Sequence, residues 1–257
     1  MGCSRAQAGD RAAVVWDVTR AMHLLLLLPL LAACKSAPVA REPRNMARSH
    51  LPGAHMRRAD LRRANLYAAD LRRADLFRAD LRQAFLGRAI LCGADLQQAQ
   101  MTRTDLSQAD LRSAALVRAT LGQAVLDGAD LRRADLYLAD LRKADLRDAV
   151  LVGARLRRAR LGQADLRGAS LAGADLRDAD LRGARLDGAD LRHARLDGAR
   201  LGQAHLDGAS LCQSDRAVVK RFKGTPSWID CDAEPEPAEP EKPASSEPGP
   251  AAAPAGS

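Results

Sequence analysis

Residues 59–81 read ADLRRANLYAADLRRADLFRADL, and a leucine returns at every fifth position of this stretch. The same spacing continues without a slip from Leu51 to Leu211, with only Met56 and Met101 replacing leucine. A period of five fits neither an α-helix, which repeats every 3.6 residues, nor a strand, which repeats every two. A short and constant period is typical of a solenoid, in which each unit buries its apolar face against its neighbours.

The positions between the leucines repeat as well. A small side chain stands two residues before each leucine-type residue, and it is Ala everywhere except at Ser49 and Thr104. The residue between them is most often Asp, as in Ala59-Asp60-Leu61. This pattern of Ala, Asp or Asn, Leu and two variable residues resembles the signature of the pentapeptide-repeat family. The resemblance covers residues 49–214.

The resemblance implies an all-β fold, a right-handed quadrilateral β-helix with four pentapeptides in each coil. The leucine and the small residue would point inward, and the other three positions would face solvent. A narrow shaft filled by one large and one small side chain per edge packs densely, and each buried Leu contributes roughly 1.5–3 kcal/mol. Residues 49–214 would then form about eight coils, stacked ~4.8 Å apart into a rod roughly 40 Å long.

The N-terminal residues 1–33 are predicted to be a lipoprotein signal peptide. Arginines precede an apolar run at residues 24–31, which is shorter than the about 20 residues that a membrane-spanning helix needs. The run ends in Leu31-Ala32-Ala33-Cys34, which resembles the lipobox of bacterial lipoproteins, whose Cys thiol accepts a diacylglycerol. An ordinary secretory signal with an incidental Cys34 is the alternative interpretation.

Residues 34–48 are polar and contain prolines, so they are predicted to be a flexible tether. In enteric-type lipoproteins a residue other than Asp after the lipidated Cys directs the protein to the outer membrane, and here that residue is Lys35. We therefore expect a lipid-anchored protein of the bacterial cell envelope, on the outer membrane and facing the periplasm. Because this sorting code varies among bacteria, the inner membrane stays open, and so does the start codon, Met1 or Met22.

The outward positions of the predicted rod carry charges of both signs. Residues 51–214 contain 28 Lys and Arg against 21 Asp. With 20 residues per coil, Arg72, Arg112, Arg132 and Arg192 would share a column, beside a column of Asp70, Asp110, Asp130 and Asp190. We interpret this surface as solvated ion pairs, each worth about 0–1 kcal/mol. A basic face that attracts anionic lipid, lipopolysaccharide or nucleic acid is the alternative, although alternating signs disfavour nucleic acid.

A few outward positions are aromatic or aliphatic. They suggest a modest surface for an unidentified protein partner, although isolated surface hydrophobes are also common. The candidate residues are Tyr67, Phe77, Phe85, Val117 and Tyr137.

The sequence predicts no catalytic residue, no cofactor site and no metal site. None of the five histidines has a Cys or carboxylate at a zinc-site spacing along the chain. No Gly-rich phosphate loop or strand-turn-helix nucleophile motif occurs. We therefore expect a protein that is not an enzyme.

Residues 215–232 are predicted to cap the open end of the rod, whose unpaired strand edge would otherwise favour aggregation. A short helix would run from Ser214 or Asp215 through Lys223. Dimerisation through this end is the alternative, which resembles what some gyrase-protecting members of the family do. In an oxidising compartment a disulfide between Cys212 and Cys231 would staple the cap, worth roughly 3 kcal/mol.

The remaining residues, 233–257, are rich in Pro, Ala and Glu and are predicted to be disordered. Two functional hypotheses follow. The first is a lipid-anchored envelope protein whose rod is a structural or protein-interaction scaffold. The second is a gyrase-protecting mimic of DNA, which the resemblance suggests but which the basic rod and the export signal disfavour.

Overall fold

The computed structural model describes residues 44–213, 215, 219 and 222–231. From residue 45 to residue 190, every fifth residue forms a parallel β-bridge with the residue 20 positions further on, such as Asn65 with Phe85 and Asp70 with Ile90. One turn of the chain therefore has 20 residues and four sides, each side held by a single bridging residue. The solenoid predicted from the five-residue period is confirmed.

The first bridge joins Asn45 to Asn65, so the rod begins before Ser49, the predicted boundary. The sequence predicts that residues 44–48 belong to the tether, but Asn45 and Met46 occupy the Asp/Asn and Leu positions of a repeat whose alanine is replaced by Arg44. The predicted signal peptide at 1–33, Cys34, the predicted tether up to residue 43 and the predicted disordered tail at 233–257 lie outside the described residues.

Backbone hydrogen bonds account for the stacking of the coils. In the repeat 66–70, three N–H groups donate to carbonyls of neighbouring coils and a fourth closes a turn. These bonds run from Leu66 to Phe85 (2.7 Å), from Ala68 to Gly87 (2.8 Å), from Asp70 to Ser49 (2.8 Å) and, within the turn, from Ala69 to Leu66 (3.0 Å). The same four bonds recur along the rod, so almost every backbone donor of a repeat is satisfied.

The turns impose a second regularity that the leucine period does not reveal. Every fifth residue from Arg48 to Gly208 has a positive φ, between 53° and 72°. These residues take the second central position of a type II turn, which requires the left-handed region. No β-branched residue occupies any of these positions, as expected because that region is least accessible to a branched Cβ.

The interior is a stack of Leu and Ala side chains. Leu66, Leu131 and their equivalents are buried, and so are the alanines two residues before them. Thr104, which replaces one inward Ala, is buried too, and its hydroxyl donates to the Leu81 carbonyl at 2.8 Å. The one fully buried polar side chain among the described inward positions is thus satisfied by a hydrogen bond.

The capping helix predicted for the C-terminal end is not confirmed by the described residues. The described residues between Asp215 and Lys223 include no α-helix, and one helix-like hydrogen bond joins the Val219 N–H to the Asp215 carbonyl (2.9 Å). Lys223 instead forms a parallel bridge with His205. The chain thus rejoins the stack of the solenoid at Lys223, 18 residues after His205.

Two short strands complete this end. Strand β1 (Ser210–Cys212) pairs in parallel with β2 (Ser227–Ile229). Trp228 of β2 packs on the core, and its ring meets Phe222 edge to face with centroids 6.5 Å apart. Strand β2 thus covers the edge of the last full coil that the predicted helix was meant to protect.

Candidate functional site

The outward Asp side chains serve the backbone of their own repeat. The Oδ1 atom of Asp140 accepts the N–H of Arg142 at 3.2 Å, which is the one N–H of the repeat that the backbone leaves unpaired. The same carboxylate binds the Arg142 side chain through two further bonds, from Nε (2.8 Å) and Nη2 (2.6 Å). Asp is therefore favoured before Leu because it completes the hydrogen bonding of the turn.

This Asp–Arg arrangement recurs along the rod. The other pairs are Asp60–Arg62, Asp70–Arg72, Asp80–Arg82, Asp110–Arg112, Asp130–Arg132, Asp145–Arg147, Asp165–Arg167, Asp175–Arg177, Asp180–Arg182 and Asp190–Arg192. The arginine column predicted from the sequence, at Arg72, Arg112, Arg132 and Arg192, consists entirely of such paired residues. Its charge is cancelled locally by the neighbouring aspartates.

The pairs keep their carboxylates ionised. The hydrogen bonds from Arg142 lower the pKa of Asp140 below its ordinary value of 3.8, and those from Arg72 lower the pKa of Asp70 in the same way. Both carboxylates are negative at neutral pH, which leaves each Asp–Arg pair electrically neutral. A column of these repeats therefore offers no continuous basic stripe to a polyanion.

The excess of positive charge lies at the left-handed turn positions. There a guanidinium Nε donates to a Gln Oε1 of the next coil, as from Arg63 to Gln83 (3.0 Å) and from Arg103 to Gln123 (2.7 Å). Arg78–Gln98 and Arg88–Gln108 repeat the contact. Within the described residues, no carboxylate lies within ion-pair distance of these four arginines.

The five predicted partner-binding residues do not form one patch. Phe77 is half-buried, and two guanidinium groups lie over its ring. The Cζ of Arg57 is 4.4 Å from the ring centroid and that of Arg78 is 5.1 Å from it. Val117 and Tyr137 are half-buried in later coils of the same column. The structure thus separates this column from the other two candidates.

Tyr67 and Phe85 come together instead on one open cavity. Phe85 is 53% exposed and Tyr67 38%. They line a cavity of ≈ 690 Å³ near the N-terminal end of the rod, together with Asn45, Ala47, Arg48, Arg63, Asn65 and Asp105. A Cβ placed on the buried Gly87 would meet the Tyr67 ring at 3.3 Å, so any larger residue there would crowd this ring.

At the opposite end the structure joins Cys212 and Cys231 in a disulfide, with Cα atoms 5.3 Å apart. His193 lies beside them. Its backbone N–H donates to the Cys212 Sγ at 3.1 Å, and a ring nitrogen lies within 4.8 Å of both sulfurs. The short residue spacings that are typical of zinc sites do not reveal this grouping. The three residues are 19 positions apart, close to one coil, and that near-coil spacing is the signal that could have found them.

Comparisons with known proteins bear on both the repeat and the fold. The family model of pentapeptide repeats matches the chain in eight copies, over residues 45–76, 74–112, 114–153, 149–188 and 184–215. HetL, a pentapeptide repeat protein involved in heterocyst differentiation regulation from the cyanobacterium Nostoc sp. strain PCC 7120, is similar at 41% identity, over 65% of this chain and 78% of that chain, with a TM-score of 0.37. No curated protein sequence matches.

A second solved structure bears on the fold alone. QnrB1, a plasmid-mediated fluoroquinolone resistance protein, is 16% identical over 69% of this chain and 89% of that chain, with a TM-score of 0.55. The likeness supports a right-handed, four-sided β-helix. Among the described residues, the structure contains no helix of the length and apolar character needed to cross a bilayer.

Proposed function

The chain belongs to the pentapeptide-repeat family, and from that premise we propose that it is a non-enzymatic, lipid-anchored scaffold protein of the bacterial cell envelope. Its rod of about eight coils presents surfaces to a protein partner. Its diacylglycerol anchor is carried by Cys34, and the protein resides on the outer membrane with the rod in the periplasm. The anchor rests on the Leu31-Ala32-Ala33-Cys34 motif.

One structural observation carries the scaffold role. Most side chains of the rod are buried or hydrogen-bonded to one another. The inward side chains are mainly Leu and Ala. The Asp side chains accept a backbone N–H in the turns, and their carboxylates also bind Arg. Side chains committed to one another in this way leave few groups for acid–base or nucleophilic chemistry. A rigid rod with a few exposed apolar residues suits binding far better.

The partner site that fits this role is the cavity at Tyr67 and Phe85. Exposed aromatic rings with nearby arginines are the residue types enriched where proteins bind each other. The segment from Cys34 to Arg44 spans at most about 35 Å when extended, so the cavity, in the first coils, would face a partner close to the membrane.

The double variant Tyr67→Ser/Phe85→Ser should lose crosslinking to that partner, while Val125→Ser, an exposed site on another coil, should retain it.

Fractionation of the wild type beside Cys34→Ser tests the anchor. The wild type should sediment with outer membranes and be released by detergent, whereas Cys34→Ser should be recovered in the periplasm. If both proteins stayed in the cytoplasm, the envelope proposal would fail. Protection of DNA gyrase would then be the role to assay, despite the net charge of +8, which is opposite to that of a DNA mimic.

A further inference from the structure

The C-terminal end of the rod brings together three side chains that bind metals in other proteins. The ligand atoms of His193, Cys212 and Cys231 all lie within 4.8 Å of one another. Each is fixed by a different layer of the solenoid: His193 by a left-handed turn (φ 57°), Cys212 by β1, and Cys231 by its position two residues after the end of β2. The cluster is therefore built by the stacking of coils.

These three ligands are of the kind that a thiophilic divalent ion prefers. Two thiolates and one imidazole form a familiar three-ligand zinc set, with the fourth tetrahedral position left to water or another ligand. The N–H of His193 that donates to Cys212 Sγ (3.1 Å) is the kind of outer contact that orients and stabilises a metal-bound thiolate. His193 is exposed and Cys231 is half-buried, so an ion could enter from solvent.

An independent observation beside the cluster also suggests a cation. The Oδ2 atom of Asp215 is buried and has no hydrogen-bond partner among the described residues. An orphaned carboxylate oxygen is costly to bury without a compensating charge. Asp215 interacts with the Cys212 backbone and with His193, so a divalent ion at the neighbouring thiolates would place a compensating charge nearby.

We infer that the His193–Cys212–Cys231 cluster is a redox-gated site for a zinc-like divalent ion. In the oxidised chain the two sulfurs are bonded to each other and the site is closed. A dithiol reductant breaks the S–S bond, passes two electrons and two protons to Cys212 and Cys231, and leaves as its own disulfide. Zn²⁺ then binds the two sulfurs and displaces the two thiol protons. This inference goes beyond the scaffold role and does not depend on it.

The test uses the full chain and zinc chloride. The protein is reduced with a water-soluble phosphine, which becomes its oxide as water supplies the oxygen, and the excess phosphine is removed. Zinc affinity is then measured by competition with a chromophoric chelator, and the Co²⁺ form is examined for sulfur-to-cobalt charge-transfer absorption. The reduced wild type should bind about one Zn²⁺ tightly at a three-ligand site, and the disulfide form should not bind it.

Two histidine variants make the result specific, because both keep all five cysteines. His193→Ala should weaken zinc binding by at least about tenfold, while His205→Ala, a histidine of the next coil outside the cluster, should bind as the wild type does. Circular dichroism establishes that both variants are folded. Equal zinc affinity in His193→Ala and the wild type, or equal binding by the reduced and disulfide forms, would overturn the inference.

Discussion

At the scale of single residues, the repeat assigns a task to each of its five positions. The burial of Leu and Ala can be predicted from the sequence, because apolar residues at a constant spacing indicate a buried face. The task of Asp cannot be predicted in this way: no periodicity shows that its Oδ1 closes the N–H of the residue two places on, as at Asp70 and Arg72. The left-handed turn position is equally hidden, since its occupants Arg73, Gln83 and Gly93 share only the lack of a branched Cβ.

The inward and outward assignment predicts opposite results for neighbouring residues. Leu131 is 1% exposed, so Leu131→Asp places an unpaired charge in the shaft and should destabilise the rod by more than about 3 kcal/mol. Arg132→Ala removes only an exposed ion pair and should cost at most about 1 kcal/mol. Thermal melts followed by circular dichroism compare the two variants, and equal losses would contradict the assignment.

The turn geometry makes a prediction at Arg73, whose φ is 56°. Arg73→Val should destabilise the rod by about 1–2 kcal/mol, because a β-branched residue is strained in the left-handed region. Arg73→Gly relieves the Cβ strain there and should be neutral or slightly stabilising. Chemical denaturation of the two variants measures the difference, and a more stable Val variant would refute a type II turn at this site.

At the scale of elements, the coil and its turns override local helix signals. Ser214 or Asp215 and Gly224 look like the start and stop of a helix. The structure gives Gly224 another reason to be glycine, because it has a φ of 95° and a Cβ there would lie 2.5 Å from the Asp207 carboxylate. That close approach depends on a residue one coil away, so only the folded chain reveals it. The helix prediction is not confirmed among the described residues, because capping signals are local and the described part of this end is shaped by stacking.

The Asp–Arg pairs predict how the coils respond to acid. Hydrogen bonding by Arg142 depresses the pKa of Asp140 in the folded state, so its contribution is present above the unfolded value and is lost as the pH falls through the folded pKa. Stability from these pairs should hold between pH 7 and pH 5 and decline below about pH 4. Each pair is largely solvated and contributes at most about 1 kcal/mol.

Melting temperatures at a series of pH values measure this decline. The matched variant Asp140→Asn keeps an oxygen that can accept the turn N–H but cannot ionise, so its decline in acid should be slightly smaller. A loss of stability concentrated between pH 7 and pH 5 would show that other groups dominate.

The disulfide predicts a local effect at the C-terminal end. Cys231→Ser should remove roughly 3 kcal/mol of stabilisation from the segment it closes, and in a solenoid such a loss stays near its origin. Hydrogen exchange should accelerate at the Ser227 N–H, which donates to the Ala209 carbonyl, while central coils near Leu131 stay protected. Uniform acceleration along the rod would contradict a local role.

At the scale of the whole molecule, the shape of the rod follows from its sequence far better than its partners do. The period predicts a solenoid, the family resemblance implies its four sides, and the N-terminal motif predicts where the rod is anchored. The number of residues per coil decides which outward residues become neighbours. It brings Tyr67 and Phe85 together at one end of the rod, and His193, Cys212 and Cys231 together at the other. The two binding proposals rest on these groups of residues, whose members are far apart in the sequence.

Mass spectrometry of the mature N-terminus, on protein purified from its membrane fraction, tests the envelope assignment most directly. The proposed function predicts a chain that begins at Cys34, with a thioether-linked diacylglycerol on its sulfur and residues 1–33 removed. A chain that still begins at Met1 or Met22, with an unmodified Cys34, would contradict the lipid-anchored scaffold.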